Sequence, residues 1–361
     1  MILKLIVLSV YFSILLGIGY FASRRVRNIT DYYVGGKKLG YWIAALSARS
    51  TGESGWLLIG VTGMGALMGF SAFWIVVGEV LGVWISWKYM AKKFKRMTDE
   101  YNSITIPDFL VSHFKSTTHL IRIVSATALS FFVVIYVSAQ IDVTGKTFES
   151  FLGFNYYTGI TIGFGIVVLY IFSGGFLAVA WSDFFQGSLM FIGLLLLPVV
   201  AYFSVSTDVS LINGLRDIDP ALLDIWGAGG FTLMNIVTVL GLLSIGIGFM
   251  GSPQVYVRFI AIKNTAEIEK GKWVAIVYTF LTDSAAVMIG ILGRYMLTKA
   301  GDNPEMILGN AGEDVLALVL GQVMPALIIG VYIAAVLSAV MSTVDSLLVV
   351  ASSAVTRDFY Q

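Results

Sequence analysis

Residues 47–56 read SARSTGESGW and residues 244–254 read SIGIGFMGSPQ, each in the middle of a long apolar run. Lipid gives no reason for such stretches, because every backbone N–H or C=O freed inside hydrocarbon costs several kcal/mol. Interruptions persist where they border a wet cavity walled by protein. A matched pair of them marks the solute and ion site of a secondary transporter. The two breaks therefore point to an all-α integral membrane protein that moves a solute, rather than to a membrane anchor.

Composition agrees. Hydrophobic residues make up 57% of the 361 and charged residues only 12%, half the share usual in soluble domains. The net charge of +1 gives no pull toward nucleic acid, so membrane lipid, and not nucleic acid, is the expected surrounding. The chain has no Cys, which excludes disulfides and thiolate metal sites. His113 and His119 flank a polar loop without a carboxylate cluster beside them and read as solvated side chains. No catalytic constellation emerges, and an enzyme is not expected. The apolar run Leu5 to Phe21 is followed, not preceded, by the cations of RRVRN, so it reads as a retained first helix and not a cleaved signal.

Segments long and apolar enough to cross a bilayer lie near 3–23, 42–67, 71–91, 121–147, 157–174, 177–204, 232–260, 272–297 and 316–353. The last is too long for one straight span. Cations gather in the loops holding Arg24, Arg25, Arg27, Lys37 and Lys38, then Lys92, Lys93, Lys95, Arg96 and Lys115, then Lys263, Lys270 and Lys272. The loop with Asp208, Asp217, Asp219 and Asp224 holds only Arg216 in return. Basic loops stay cytoplasmic. The chain is expected in the cell membrane, multi-pass, with its N-terminus outside and Gln361 inside. The polar stretch Thr98 to Thr118 is expected as a short surface helix over the cytoplasmic face. One transporter domain over 1–361 follows: an extra helix at 1–24, a five-helix unit at 41–205, and a second unit at 231–361. The second unit holds three helices, so a five-plus-five repeat is expected to be truncated here.

Charged groups at bilayer depth cost at least about 2.5 kcal/mol each and are functional candidates by default. Arg49 and Glu53 would pair four residues apart along a continuous helix, but Gly52 and Gly55 favour an unwound turn whose carbonyls suit an alkali cation. Further on, AAVLSAVMSTVDSLLVVASSA (334–354) places Ala339, Ser342, Thr343 and Ser346 on one helix face. This oxygen-lined face, with Asp345 beside it, suits a cation of low charge; close helix packing by small residues is the plainer use of the same pattern. Asp183 either caps its helix or joins an ion site. Trp56, Phe249 and Pro253 in the breaks, with Tyr136, Gln140 and Asp142 on the fourth segment, are candidates for a solute pocket.

Four stretches, LSARSTGESGWLLIG (46–60), FSGGFLAVAWSDFFQGSLM (172–190), GFMGSPQVYVRFIA (248–261) and LSAVMSTVDSLLVVASSAVTRDFY (337–360), together resemble the sodium:solute symporter family, and within it the sodium/proline branch. The resemblance covers nearly the whole chain from DYYVGGKKLG (31–40) onward. It implies a LeuT-like core of inverted repeats preceded by one extra helix, and Na+ as the coupling ion. It implies a sodium site made by the backbone carbonyls of Ser50, Glu53 and Ala339 and the hydroxyls of Ser342 and Thr343. A second sodium site would map to Asp183, Ser342, Asp345 and Ser346. The solute pocket would map to Gly55, Trp56, Tyr136, Ile245, Phe249 and Pro253. Proline transporters carry an Asp where this chain has Gly52 and an apolar residue at Glu53. They carry Trp and Tyr where it has Ile245 and Phe249. A proline-like amino acid or related small carboxylic acid is thus the expected solute, with Glu53 standing in for the lost acid or Arg49 binding the carboxylate. Two rivals remain at this level: proton coupling through Glu53 or Asp183, and a solute sensor signalling through an attached domain.

Overall fold

A computed structural model describes residues 1–205 and 210–360; Asp208 and Gln361, which entered the charge reading, lie outside the described residues. The chain is almost wholly helical. Among the described residues, six helices are long and apolar enough to cross a bilayer, or seven if one bent pair counts as a single span. The principal helices are α1 (Ile2–Ser23), α2 (Tyr41–Gly55), α3 (Phe73–Ile85), α4 (Ala91–Glu100), α5 (Ile106–His113), α6 (Leu120–Leu152), α7 (Tyr156–Ser204), α8 (Leu233–Phe249), α9 (Pro253–Ala261), α10 (Thr265–Leu297) and α11 (Ala326–Ser353).

Nine apolar segments become fewer continuous helices because two pairs are joined by tight kinks. Gly175 (φ 52°, ψ −148°) divides α7 where the 174–177 turn is expected. Its φ is left-handed, and a Cβ there would stand 2.6 Å from the Tyr32 carbonyl oxygen, so only glycine fits. Residues 41–100 likewise run almost continuously, turning at Gly69. The overlong last segment is cut at Met324–Pro325 into Val315–Val323 and α11. The expected surface helix is α5, whose first turn is capped by Thr105 accepting from the Asp108 N–H at 3.1 Å.

Both breaks sit where the sequence places them, in different forms. α2 stays regular through Glu53; the break falls on Ser54, whose φ of 51° and ψ of −172° leave the helix before a π-helical turn at Trp56–Val61. Because Arg49 and Glu53 lie before it, they form the four-residue ion pair that an unwound turn would have prevented. The second break separates α8 from α9 by a 42° bend, with Pro253 opening α9 where its missing N–H costs nothing.

Small residues let the helices touch along their backbones. Gly78 and Gly82 of α3 meet Gly246 of α8, where an added Cβ would lie 1.8 Å from the Gly78 carbonyl oxygen. Gly246→Ala is expected to lower the thermal midpoint of the purified protein by the equivalent of about 1–3 kcal/mol or more. Gly241→Ala, on the same helix with nothing within 4 Å, serves as control and should leave the midpoint unmoved. Equal midpoints for the two variants would refute the close crossing. At the centre, α11 packs against α1, α2, α6 and α7 and is buried along nearly its whole length. That contact brings its hydroxyl face to the broken helix.

Candidate functional site

Ser342 Oγ donates to the Ser50 carbonyl at 3.0 Å and is 3.2 Å from that of Ala339. Thr343 Oγ1 is 3.0 Å from the carbonyls of both Thr51 and Ala339. Three carbonyls and two hydroxyls therefore meet in one seam between α2 and α11, with two protons among them. All five residues are fully buried. Hard oxygen donors in excess of protons are what an alkali cation requires. The Thr51 carbonyl, absent from the expected ligand set, belongs to this seam. Glu53 turns elsewhere: its carbonyl accepts the Trp56 N–H and its carboxylate faces Arg49 and Thr282.

Asp183, Asp345 and Ser346 lie beside the seam around a residue the sequence reading passed over. Arg258, fully buried on α9, donates from Nη2 to Asp183 Oδ2 at 2.6 Å and to Thr51 Oγ1 at 3.0 Å. The same nitrogen donates to Ser346 Oγ, and Nε donates to Ser47 Oγ at 2.9 Å. Ser47 in turn donates to Asp183 Oδ2 at 2.5 Å. Asp345 accepts from the Tyr170 hydroxyl at 2.6 Å, from Ser182 at 3.3 Å and from Ser346 at 3.1 Å. A guanidinium thus stands between Asp183 and Ser346, two of the residues mapped to a second sodium. The signal was present in the sequence: an arginine within VYVRFIA, at bilayer depth, with Asp183 already marked as an acid that caps its helix or joins an ion site.

An open cavity of about 870 Å³ runs from Lys93 and Phe109 on α4 and α5, past Phe132, to Tyr136 and Pro253 at the second break. Tyr136 and the residues of the second break, Gly251 to Gln254, close the inner end of this cavity. Of the expected solute contacts, Tyr136 and Pro253 line this cavity. Gln140 is buried and accepts the Gly55 N–H at 3.2 Å. Trp56 is 41% exposed, its ring over Gly60. Phe249 packs on Gly52 and lies under the Arg49 guanidinium, 5.1 Å from ring to Cζ. Arg49 corrects its assignment as a solute contact. It is 1% exposed, and its Nη2 is held by Glu53 at 3.0 Å and Glu79 at 3.4 Å, so its charge is met by carboxylates of the protein itself.

The profile of the sodium:solute symporter family matches residues 32–361. The high-affinity proline transporter PutP of Bacillus subtilis is 37% identical over 348 residues, spanning 95% of this chain and 71% of that one. The sodium/proline symporter of Escherichia coli is 34% identical over 366 residues, spanning 99% and 70%. Among solved structures, a substrate-bound, outward-open Na+-coupled sialic acid symporter superposes with a TM-score of 0.82 at 21% identity. That match covers 99% of this chain and 73% of the other, and it establishes the likeness of fold.

Proposed function

The chain belongs to the sodium:solute symporter family, and from that premise we propose that it is a transporter carrying a proline-like amino acid or related small carboxylic acid together with sodium. The observation that supports this most is the oxygen-rich seam between α2 and α11. A sodium ion held by the Ser50, Thr51 and Ala339 carbonyls and the Ser342 and Thr343 hydroxyls would draw the broken helix onto α11. Binding of the ion so organises the wall of the neighbouring solute pocket. Solute then sits between the two breaks, against Tyr136, Phe249 and Pro253. Rocking of one helical bundle against the other exposes ion and solute to the opposite side.

The cavity opens beside Lys93 on α4, within the most basic loop region. By the distribution of basic residues that face is cytoplasmic, the N-terminus is outside, and the conformation described here is the inward-open one. One positive charge moving down 100 mV supplies about 2.3 kcal/mol, enough for concentrative uptake before the sodium gradient is added. Asp183 and Ser346 serve in this reading as the anchor for Arg258, and the seam is the principal sodium site.

Ser342→Ala or Thr343→Ala removes one hard oxygen, worth about 1–3 kcal/mol. Each should raise the sodium concentration for half-maximal uptake by about tenfold or more, since 1.4 kcal/mol is a factor of ten. Solute affinity at saturating sodium should change little. Uptake of a screen of amino and small carboxylic acids, measured against sodium in both variants and the parent, tests this. Unchanged sodium dependence in both variants would remove the seam from the mechanism.

A further inference from the structure

A second group of ionisable side chains lies apart from the seam, where α2, α3 and α10 meet. Glu53, Glu79 and Asp283 are all buried, at 2%, 4% and 1% exposure, with Arg49 as the cation between them. Thr282 Oγ1 lies 3.2 Å from Glu53 Oε1 and 3.3 Å from Asp283 Oδ1. The other oxygen of each carboxyl, Glu53 Oε2 and Asp283 Oδ2, is buried without a hydrogen-bond partner. An unpartnered carboxylate oxygen in a dry interior carries a heavy desolvation cost unless a cation or proton meets it.

The charges narrow the choice. Arg49 offsets one of the three acids. Acid therefore exceeds base in this group, and Glu53 and Asp283 both approach Thr282. A monovalent cation beside Glu53 and Asp283 would offset that excess. A divalent ion is less suited, because such ions take six or more oxygens, several of them carboxylate. Among the described residues, no three Asp, Glu, His or Cys side chains converge on one metal position.

We infer that Glu53, Thr282 and Asp283 form a second alkali-cation site in this chain, built on carboxylates where the seam is built on carbonyls and hydroxyls. The site joins the last helical turn of α2 before the Ser54 break to the middle of α10. Its occupant therefore bears on the same broken helix as the seam ion, through that helix's contact with α10 rather than with α11. Filling both would fix the break through two neighbouring helices before the solute pocket closes. The inference rests on the symport reading only for the identity of the ion.

The experiment counts radioactive sodium bound at equilibrium to the purified protein in detergent, at alkaline pH, for the parent, Asp283→Asn, Thr282→Ala and Ser342→Ala. The parent should bind two ions per chain. Asp283→Asn should bind one, and Ser342→Ala should weaken the other about tenfold or more. Thr282→Ala, which keeps every charge and removes one hydroxyl, should weaken one of the two ions about tenfold; it carries the test should Asp283→Asn fail to fold. A parent that binds one ion, weakened by Ser342→Ala and untouched by Thr282→Ala and Asp283→Asn, overturns the second site while leaving symport intact. A proton released on acid–base titration of the parent but not of Asp283→Asn, with no change in the sodium count, overturns it as well. No sodium bound by the parent would instead overturn the reading of symport itself.

Discussion

Replacing Arg258 by leucine should destabilise the folded protein by about 3–5 kcal/mol, the usual cost of removing one partner from a buried ion pair. Both members of this pair are fully buried, with Nη2 2.6 Å from Asp183 Oδ2. The loss exceeds that of the single contact, because the guanidinium also bonds Ser47, Thr51 and Ser346 and the Gln254 carbonyl. It thereby ties α9, beyond the second break, to α2, before the first. Thermal unfolding in detergent should show a much lower midpoint for Arg258→Leu. The double variant Arg258→Leu with Asp183→Asn should recover most of the loss, since it removes the stranded charge along with its partner. Sodium supplies a second readout. With the guanidinium gone, Asp183 and Ser346 present oxygens to an empty position, and the midpoint of Arg258→Leu should rise with sodium more steeply than the parent's. A single variant as stable as the parent would show that the pair contributes nothing. A double variant as unstable as the single one would place the cost in packing rather than charge.

The hydropathy of the chain made its spans legible, because apolar length is a local property. The kinks at Gly69 and Gly175 fall in the gaps between expected segments, 67–71 and 174–177. The α2 break was read over ten residues and occupies one, Ser54. The glycines on either side suggested a looser unwinding, but the Arg49–Glu53 pair holds the helix together up to that point. The face bearing Ala339, Ser342 and Thr343 was legible from its three–four spacing. Which backbone it meets was not, and Thr51 entered the seam only once α11 was seen against α2. Arg258, Glu79 and Asp283 were passed over because each is a single charge in an apolar window, and a window average tolerates one. Their significance lies in who faces them. That is set by how α2, α3, α9 and α10 cross, not by any spacing along one helix.

The substitution with the clearest bearing on solute choice is Gly52→Asp, which should abolish uptake by itself. A Cβ at position 52 would lie 2.2 Å from Phe249 Cζ and 2.7 Å from Cε1, so an aspartate enters only if the ring leaves. The ring is held in place by Arg49 over its face. Overpacking of this kind costs about 1–3 kcal/mol. The new carboxylate would also stand beside Glu53 in a region that already holds more acid than base. By resemblance, proline transporters keep an acid at this position and a hydrogen-bonding ring where this chain has Phe249; here the phenyl ring fills the space an acid would need. Glycine at 52 and phenylalanine at 249 are thus one structural choice, and they should change together. Phe249→Ala in the Gly52→Asp background removes the obstruction and should restore expression and sodium-dependent binding. It should also shift preference toward solutes whose amine can meet the new carboxylate, proline among them. Competition by unlabelled proline against uptake of the parent's own solute reads that shift. If Gly52→Asp alone transports as well as the parent, Phe249 does not occupy the acid's place, and the pocket at the first break is more open than its packing indicates.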